Sequence, residues 1–211
     1  MAITSLQELY LQKLQMIYDA EQQGQQALSR LIQAAHNGDL RSALQAHRQQ
    51  TEEQVRRLEG LFRTRGESAE RIESRSMRAL IQEAEQVLPT IQDDDTRDAF
   101  LIAAQQAVEH HEIADYGTAR TWARQLGFSE DASVLQAILD QERNADKLLS
   151  EVAERMVNPE AATAAGDVDV TGRAQAGDRG AAAARSSSAG GGRTTGDRGT
   201  TRDTEINPLN R

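Results

Sequence analysis

The sequence has no cysteine, only three prolines and very few aromatic side chains, 3% of its residues. Without cysteine there are no disulfides, zinc–thiolate sites, iron–sulfur clusters or thiol nucleophiles. So few prolines leave room for long uninterrupted helices, and the Ala, Leu, Gln, Glu and Arg that dominate the first three quarters are good helix formers. No apolar run approaches the roughly 18 residues of a membrane span. The opening MAITSLQELYLQKL has no basic stretch followed by an apolar one, so it does not read as a signal peptide. A soluble, cytoplasmic protein is expected. No Gly-rich phosphate loop is present, so no organic cofactor is expected either. Net charge is −9. Residues 158–211 carry seven Arg and seven acidic residues, which places the whole excess on residues 1–157. An acidic domain is unsuited to nucleic acid, whose binding rests on Lys and Arg, and suited to cations.

Composition changes at Asn158-Pro159. Beyond it lies Gly, Ala, Ser, Thr, Arg and Asp with almost no large apolar side chain. Such a segment cannot bury enough to offset its ordering entropy, so residues 158–211 read as a disordered tail behind a domain of residues 1–157. Within that domain helical periodicity appears four times. Helix A runs from about Ser5 to Ala35, opened by a Ser5/Glu8 capping box and stopped by Asn37-Gly38. Its stripe is Tyr10, Leu14, Ile17, Glu21, Gly24, Leu28 and Leu31. Helix B, about Asp39 to Gly66, carries Leu40, Leu44, His47, Thr51, Gln54, Leu58 and Leu61. Helix C, about Thr96 to Leu126, carries Ile102, Gln106, Glu109, Ile113 and Tyr116 and stops at Gly127. Helix D, capped by Ser129 and running to about Val157, carries Leu135, Ile138, Glu142, Ala145, Leu149, Val152 and Met156. The short connections at 36–39 and 127–129 make antiparallel hairpins. The long B-to-C connection holds a short helix, about Ser74 to Leu88, ended by Pro89. A connector of that length allows B and C to lie parallel, the ferritin-like arrangement; a plain up-down bundle with a fifth packed helix is the alternative. The run Asp93-Asp94-Asp95 reads as a solvated loop before helix C.

Each stripe should be apolar throughout, because it fills a core. Each is instead interrupted near its middle by a group able to bind a metal: Glu21 on A, His47 on B, Glu109 with Glu112 one turn on from it on C, and Glu142 with Asp146 one turn on from it on D. Buried acids repel and raise one another's pKa, and divalent cations relieve that repulsion. Oxygen ligands with one imidazole suit iron or manganese better than copper or zinc. Folding the C–D hairpin about residues 127–128 brings Glu109/Glu112 level with Glu142/Asp146. Folding A–B about residue 37 puts Glu21 level with Gln54 and leaves His47 higher by roughly 10 Å. His47 is therefore either a ligand or a hydrogen-bonded core histidine. The bland reading of the acids is a wet crevice or pairing with arginine. Tyr18 and Tyr116 read as packing residues with satisfied hydroxyls.

The stretches YDAEQQ (18–23), HRQQTEEQ (47–54), VEHHEIADYGTARTWARQLG (108–127) and LDQERNADKL (139–148) resemble the YciE/YciF-like branch of the ferritin-like superfamily. The resemblance covers nearly all of residues 5–155 and none of the tail. It implies a ferritin-like four-helix bundle, a homodimer, and a di-metal carboxylate site of two iron or manganese ions in a bacterial stress-associated protein. Its ligands would be Glu21, His47, Glu109, Glu112, Glu142 and Asp146. One position departs: Gln50 stands where the family usually has Glu, so this chain offers a weaker, neutral ligand there. Two functions follow. One is a di-metal redox enzyme acting on Fe(II), oxygen or peroxide; the other is a non-catalytic dimeric stress protein working through partners. The last residues, INPLNR, regain apolar character and suggest a docking peptide that holds the protein to a partner or inside a protein shell. Deleting residues 200–211 is expected to change its cellular location or partners; an unchanged pull-down profile and location would end that idea.

Overall fold

The computed structural model describes residues 2–164, and its secondary structure is entirely helical there. The elements are α1 (Leu6–Ala34), α2 (Gly38–Thr64), α3 (Arg75–Val87), a short 3-10 turn (Leu88–Thr90), α4 (Asp94–Gln125), α5 (Ser129–Val152), a π-helical turn (Ala153–Val157) and α6 (Asn158–Ala164). Among the described residues no helix is long and apolar enough to cross a membrane. The expectations for the tail beyond residue 164, disorder and docking alike, lie outside the described residues.

Local chemistry sets most boundaries. Ser5 Oγ accepts the Glu8 N–H at 3.2 Å, while Glu8 reaches back to the Thr4 N–H at 2.7 Å. Both α2 and α4 end in a glycine with positive φ, Gly66 at 69° and Gly127 at 76°. In each the glycine N–H and the next N–H return to the last turn: Gly66 to Arg63 O and Glu67 to Phe62 O, Gly127 to Arg124 O and Phe128 to Ala123 O. That pairing is the Schellman motif.

Four local expectations are corrected. Asn37-Gly38 does not stop α1. Asn37 Oδ1 instead accepts the Asp39 and Leu40 N–H groups and opens α2, with Gly38 its first residue. The acidic run is no loop: Asp93 caps α4 through the Thr96 N–H at 2.7 Å, and Asp94 and Asp95 form its acidic first turn. Ser129 is the first residue of α5 rather than its cap, which is Phe128. Helix does not end at Val157. The π turn lets Asn158 N–H bond back to Ala153 O, and helix continues through Pro159 to Ala164. A widened turn before the proline absorbs the bond that its missing N–H cannot make.

The topology is two antiparallel hairpins, α1–α2 and α4–α5, joined by the long connection through α3. Tyr10, Arg65 and Asp131 meet at one end of the bundle. At the other, buried Asp98 near the start of α4 accepts the His36 and Asn37 N–H groups of the α1–α2 turn. Helices α2 and α4 therefore run parallel, as the single long crossover of a ferritin-like bundle requires. All seven stripe positions named for α1 and all seven for α2 are buried. On α4 and α5, Gln106, Ile113, Ala145 and Met156 are only half-buried, and α4 adds a second buried row through Leu101, Gln105, Val108 and Glu112. The reason is that α4 packs against α3 as well as against α1 and α5.

Two apolar clusters result. One gathers Tyr10, Leu14, Ile17, Leu58, Leu61 and Leu135; the other gathers Leu28, Leu31, Leu40, Leu44, Leu101 and Leu149. The polar middles of the stripes lie between them.

Gly127→Ala should lower unfolding free energy by about 1–2 kcal/mol, because the left-handed conformation penalises a Cβ. Gly60, in mid-helix with open space around its Cα, should respond oppositely: Gly60→Ala gains up to about 1 kcal/mol. Urea denaturation of the two variants checks both signs.

Candidate metal centre

Each helix of the bundle sends one polar group or more into the layer between the apolar clusters. His47 comes from α2, Glu109 and Glu112 from α4, Glu142 from α5, and all four are buried. One ligand atom from each lies within 4.8 Å of the others. His47 Nε2 stands 2.9 Å from Glu109 Oε1 and 3.8 Å from Glu142 Oε2. His47 lies ten residues on from Asn37 and Glu109 eleven on from Asp98, which bonds the Asn37 N–H, so on parallel α2 and α4 the two are level; the anticipated offset falls between His47 and Glu21. Because α2 and α4 are parallel, His47 and Glu109 lean toward the same end of the bundle. Glu142 spans the rest, accepting Gln54 Nε2–H on one oxygen and facing His47 with the other.

Glu21, fully buried on α1, lies alongside rather than within this group of four, and Tyr116 Oη donates to its Oε1. Asp146 does not join. Its side chain is 24% exposed, accepts Gln106 Nε2–H at 3.0 Å and faces His110 Nε2 at 3.3 Å. Four residues advance a helix by about 400°, so Asp146 sits about 40° round from Glu142, on the outer α4–α5 edge. Gln50 is half-buried and lines a cavity beside His47 without entering the group. Sequence reasoning missed Gln105, whose Nε2–H bonds Glu109 Oε1 at 2.8 Å. It belongs to the second buried row of α4, which no single stripe reveals. Gln54 stood in its stripe, and its interruption of Thr51 and Leu58 was the available signal. The tyrosine hydroxyls are satisfied as expected: Tyr18 bonds Glu59 at 2.9 Å and Tyr116 bonds Glu21.

The acids here differ from the other buried carboxylates. Asp19 accepts the Ser74 N–H at 2.8 Å, with Gln23 and Arg71 beside it. Asp131 accepts Tyr10 Oη–H at 2.7 Å and Arg65 Nε–H at 2.6 Å. Asp98 has two backbone donors. In the central layer, by contrast, Glu109 Oε2, Glu142 Oε2, Gln54 Oε1 and His47 Nδ1 have no hydrogen-bond partner in the protein. Among the described residues no Lys or Arg pairs with Glu21, Glu109, Glu112 or Glu142.

The electrostatics follow. Burial, then the charges of Glu21, Glu109 and Asp115, push Glu112 well above the usual carboxylate range. Burial, then Glu112, Glu21 and Glu109, do the same to Glu142. Burial pushes Glu21 up to about 7, although Tyr116 and His47 pull it back. Burial opposes charge on both His47 and Glu109, but their mutual hydrogen bond wins: the imidazole pKa is raised and the Glu109 carboxyl lowered. Asp19 contrasts again, since Ser74, Gln23 and Arg71 overcome burial and lower it.

The residues fit a metal. Carboxylate oxygens and an imidazole that face inward without a partner are groups that could hold a cation. His47, Glu109, Glu112 and Glu142 are the four that come together, with Glu21 beside them, and any cation bound there would have to displace the protons that burial retains.

A family described as "Domain of unknown function (DUF892)" matches residues 5–162, past Val157 and into α6. Protein YciF of Escherichia coli is 35% identical over 162 residues, 76% of this chain and 98% of its own. The crystal structure of that E. coli stress protein aligns with a TM-score of 0.71 at 35% identity, covering 74% of this chain and 99% of that one. YcfI of Rhodopseudomonas palustris, described as a candidate structural protein, aligns with a TM-score of 0.69 at 36% identity, covering 70% and 94%.

The metal-free protein should lose stability as pH rises from about 4.5 to about 7. Over that window unfolded Glu21 has released its proton while folded Glu21 retains it, so deprotonation favours the unfolded state. Glu21→Gln keeps an acceptor for Tyr116 and should flatten the slope. Its advantage over wild type should be absent below pH 4.5 and grow to on the order of 1–3 kcal/mol by pH 8. Urea midpoints across that range, in chelator, test the sign.

Proposed function

The chain belongs to the YciF-like DUF892 family, and from that premise we propose that it is a stress-response metalloprotein. In this reading His47, Glu109, Glu112 and Glu142 hold iron or manganese, with Glu21 completing a two-ion site for Fe(II), oxygen or peroxide chemistry. One observation carries the reading: four buried donors from three helices converge within 4.8 Å, with oxygens that nothing in the protein satisfies. A bound metal of this class supplies redox capacity and open coordination positions. The chain supplies the rest. Glu109 and His47 share a proton that leaves when a cation arrives. Gln105 and Gln54 orient Glu109 and Glu142 by donating to one oxygen of each, leaving the other free. Tyr116 orients Glu21. The apolar clusters on either side exclude water along the bundle axis.

A second reading is favoured by Gln50. With an amide three residues after His47 the site has one charge fewer, as suits a non-catalytic dimeric bundle acting through protein partners. The description of YcfI as a candidate structural protein points the same way. Cytoplasmic location and the dimer belong to both readings.

Metal analysis after chelator-free purification should give one to two iron or manganese ions per chain. Glu109→Ala and Glu142→Ala should each lower affinity by about 10- to 100-fold or more and abolish peroxide or Fe(II) turnover. Without metal, Glu142→Ala should leave the fold intact or stabilise it, since it removes a buried acid that repels its neighbours, whereas Glu109→Ala also removes the partner of His47 and should destabilise it. Less than one ion per chain after reconstitution, with no turnover, favours the second reading.

A further inference from the structure

The central layer is sealed on most sides. Apolar clusters close it toward both ends of the bundle. The α1–α4 seam is covered by α3, with Met77 packed between Ala20 and Val108; a cavity of about 160 Å³ between α1, α3 and α4 reaches Gln105 there, but its lining is mostly apolar and does not include His47. Among the described residues the opposite seam, between α2 and α5, has no helix over it and is bordered by small side chains, Ala43 and Ala46 on α2 and Ala145 on α5. Two cavities adjoin there. An outer one of about 430 Å³ reaches from Asp39 and Glu151 to Ala43, Ala46 and Leu148. An inner one of about 50 Å³ shares those last three residues and ends on His47 and Gln105. Both floor residues touch the same oxygen, Glu109 Oε1, at 2.9 and 2.8 Å. The path thus runs from the surface to His47, one of the four donors.

The inner lining decides what can use it. It carries no carboxylate; its polar groups besides His47 are the amides of Gln50, Gln105 and Asn144. Cations gain less from amides than from carboxylates, while a small neutral molecule that donates and accepts hydrogen bonds is matched by them. At about 50 Å³ it takes only a molecule of one or two water volumes. We propose that the α2–α5 seam is the port by which hydrogen peroxide reaches the centre. Ala46 and Leu148 set its bore, Gln50 keeps it uncharged, and bulky organic hydroperoxides are excluded. This rests on the metal-centre reading, but the port can be tested without metal.

Leu44 is fully buried and lines the inner cavity, and Leu44→Met conserves its volume. Peroxide transfers one oxygen atom to a thioether, its O–O bond breaking to leave water and the sulfoxide. Mass spectrometry of the metal-free Leu44→Met chain should find the introduced sulfur oxidised by hydrogen peroxide roughly tenfold or more faster than Met77, which is fully buried under α3. tert-Butyl hydroperoxide should not show that preference. Adding Ala46→Phe, at an exposed position, should abolish the preference without changing the Met77 rate; Ala145→Leu is the second blocking variant should the first not fold. An introduced sulfur no faster than Met77, or a rate indifferent to both blocks, overturns the port. Absence of metal after reconstitution overturns the metal-centre reading instead, and leaves the oxidation result standing.

Discussion

The structure turns on one constraint: ionisable side chains from all four long helices share a single buried layer with too few donors to satisfy them. Glu21, His47, Glu109, Glu112 and Glu142 lie between two apolar clusters, and His47, close to Glu109 and within 3.8 Å of Glu142, is the one basic side chain that faces these acids among the described residues. Burial and mutual repulsion force the remaining acids to keep their protons or gain a cation. The fold accepts this cost at one level because the leucine-rich layers on either side supply its stability. Elsewhere it does not accept it: Asp19, Asp98 and Asp131 are also buried, and each is met by N–H, guanidinium or phenol donors. The same chain therefore shows how it treats an acid meant for structure and an acid left open.

The long crossover gives this layer its geometry. It makes α2 parallel to α4, so His47 and Glu109 lean the same way and meet. It also lays α3 across the α1–α4 seam, anchored by Asp19 to Ser74 and Arg71. One side of the bundle is thereby roofed, while the α2–α5 side is left thin. Asymmetry of cover, and with it the direction of access, comes from connectivity rather than from any difference among the central helices.

Membership in the YciF-like family and likeness to its solved bundles agree with the fold built here from capping, periodicity and burial. Gln50 is the residue of α2 one turn on from His47. It lies beside the four-donor group, at the wall of the cavity that ends on His47. Its effect on the centre is therefore through the charge and the entrance of the site as much as through coordination.

Much of this was written in the chain. Period and capping located every long helix; the stripes of α1 and α2 are buried at each position named, and the polar interruption of each stripe marked Glu21, His47, Glu109, Glu112 and Glu142. These are local properties, set by a 3.6-residue repeat and by side chains bonding backbone a few residues away. The tertiary structure decided what depends on neighbours and reach. It turned Asp146 to the outer edge, because a short side chain one turn on from Glu142 meets Gln106 first. It brought in Gln105, because α4 is packed on more than one side. It set His47 level with Glu109, because α2 and α4 start from the same end of the bundle and run parallel. It carried the last helix past Pro159 through a widened turn. Periodicity says which way a side chain faces on its own helix; only the packing of several helices says which atoms it meets.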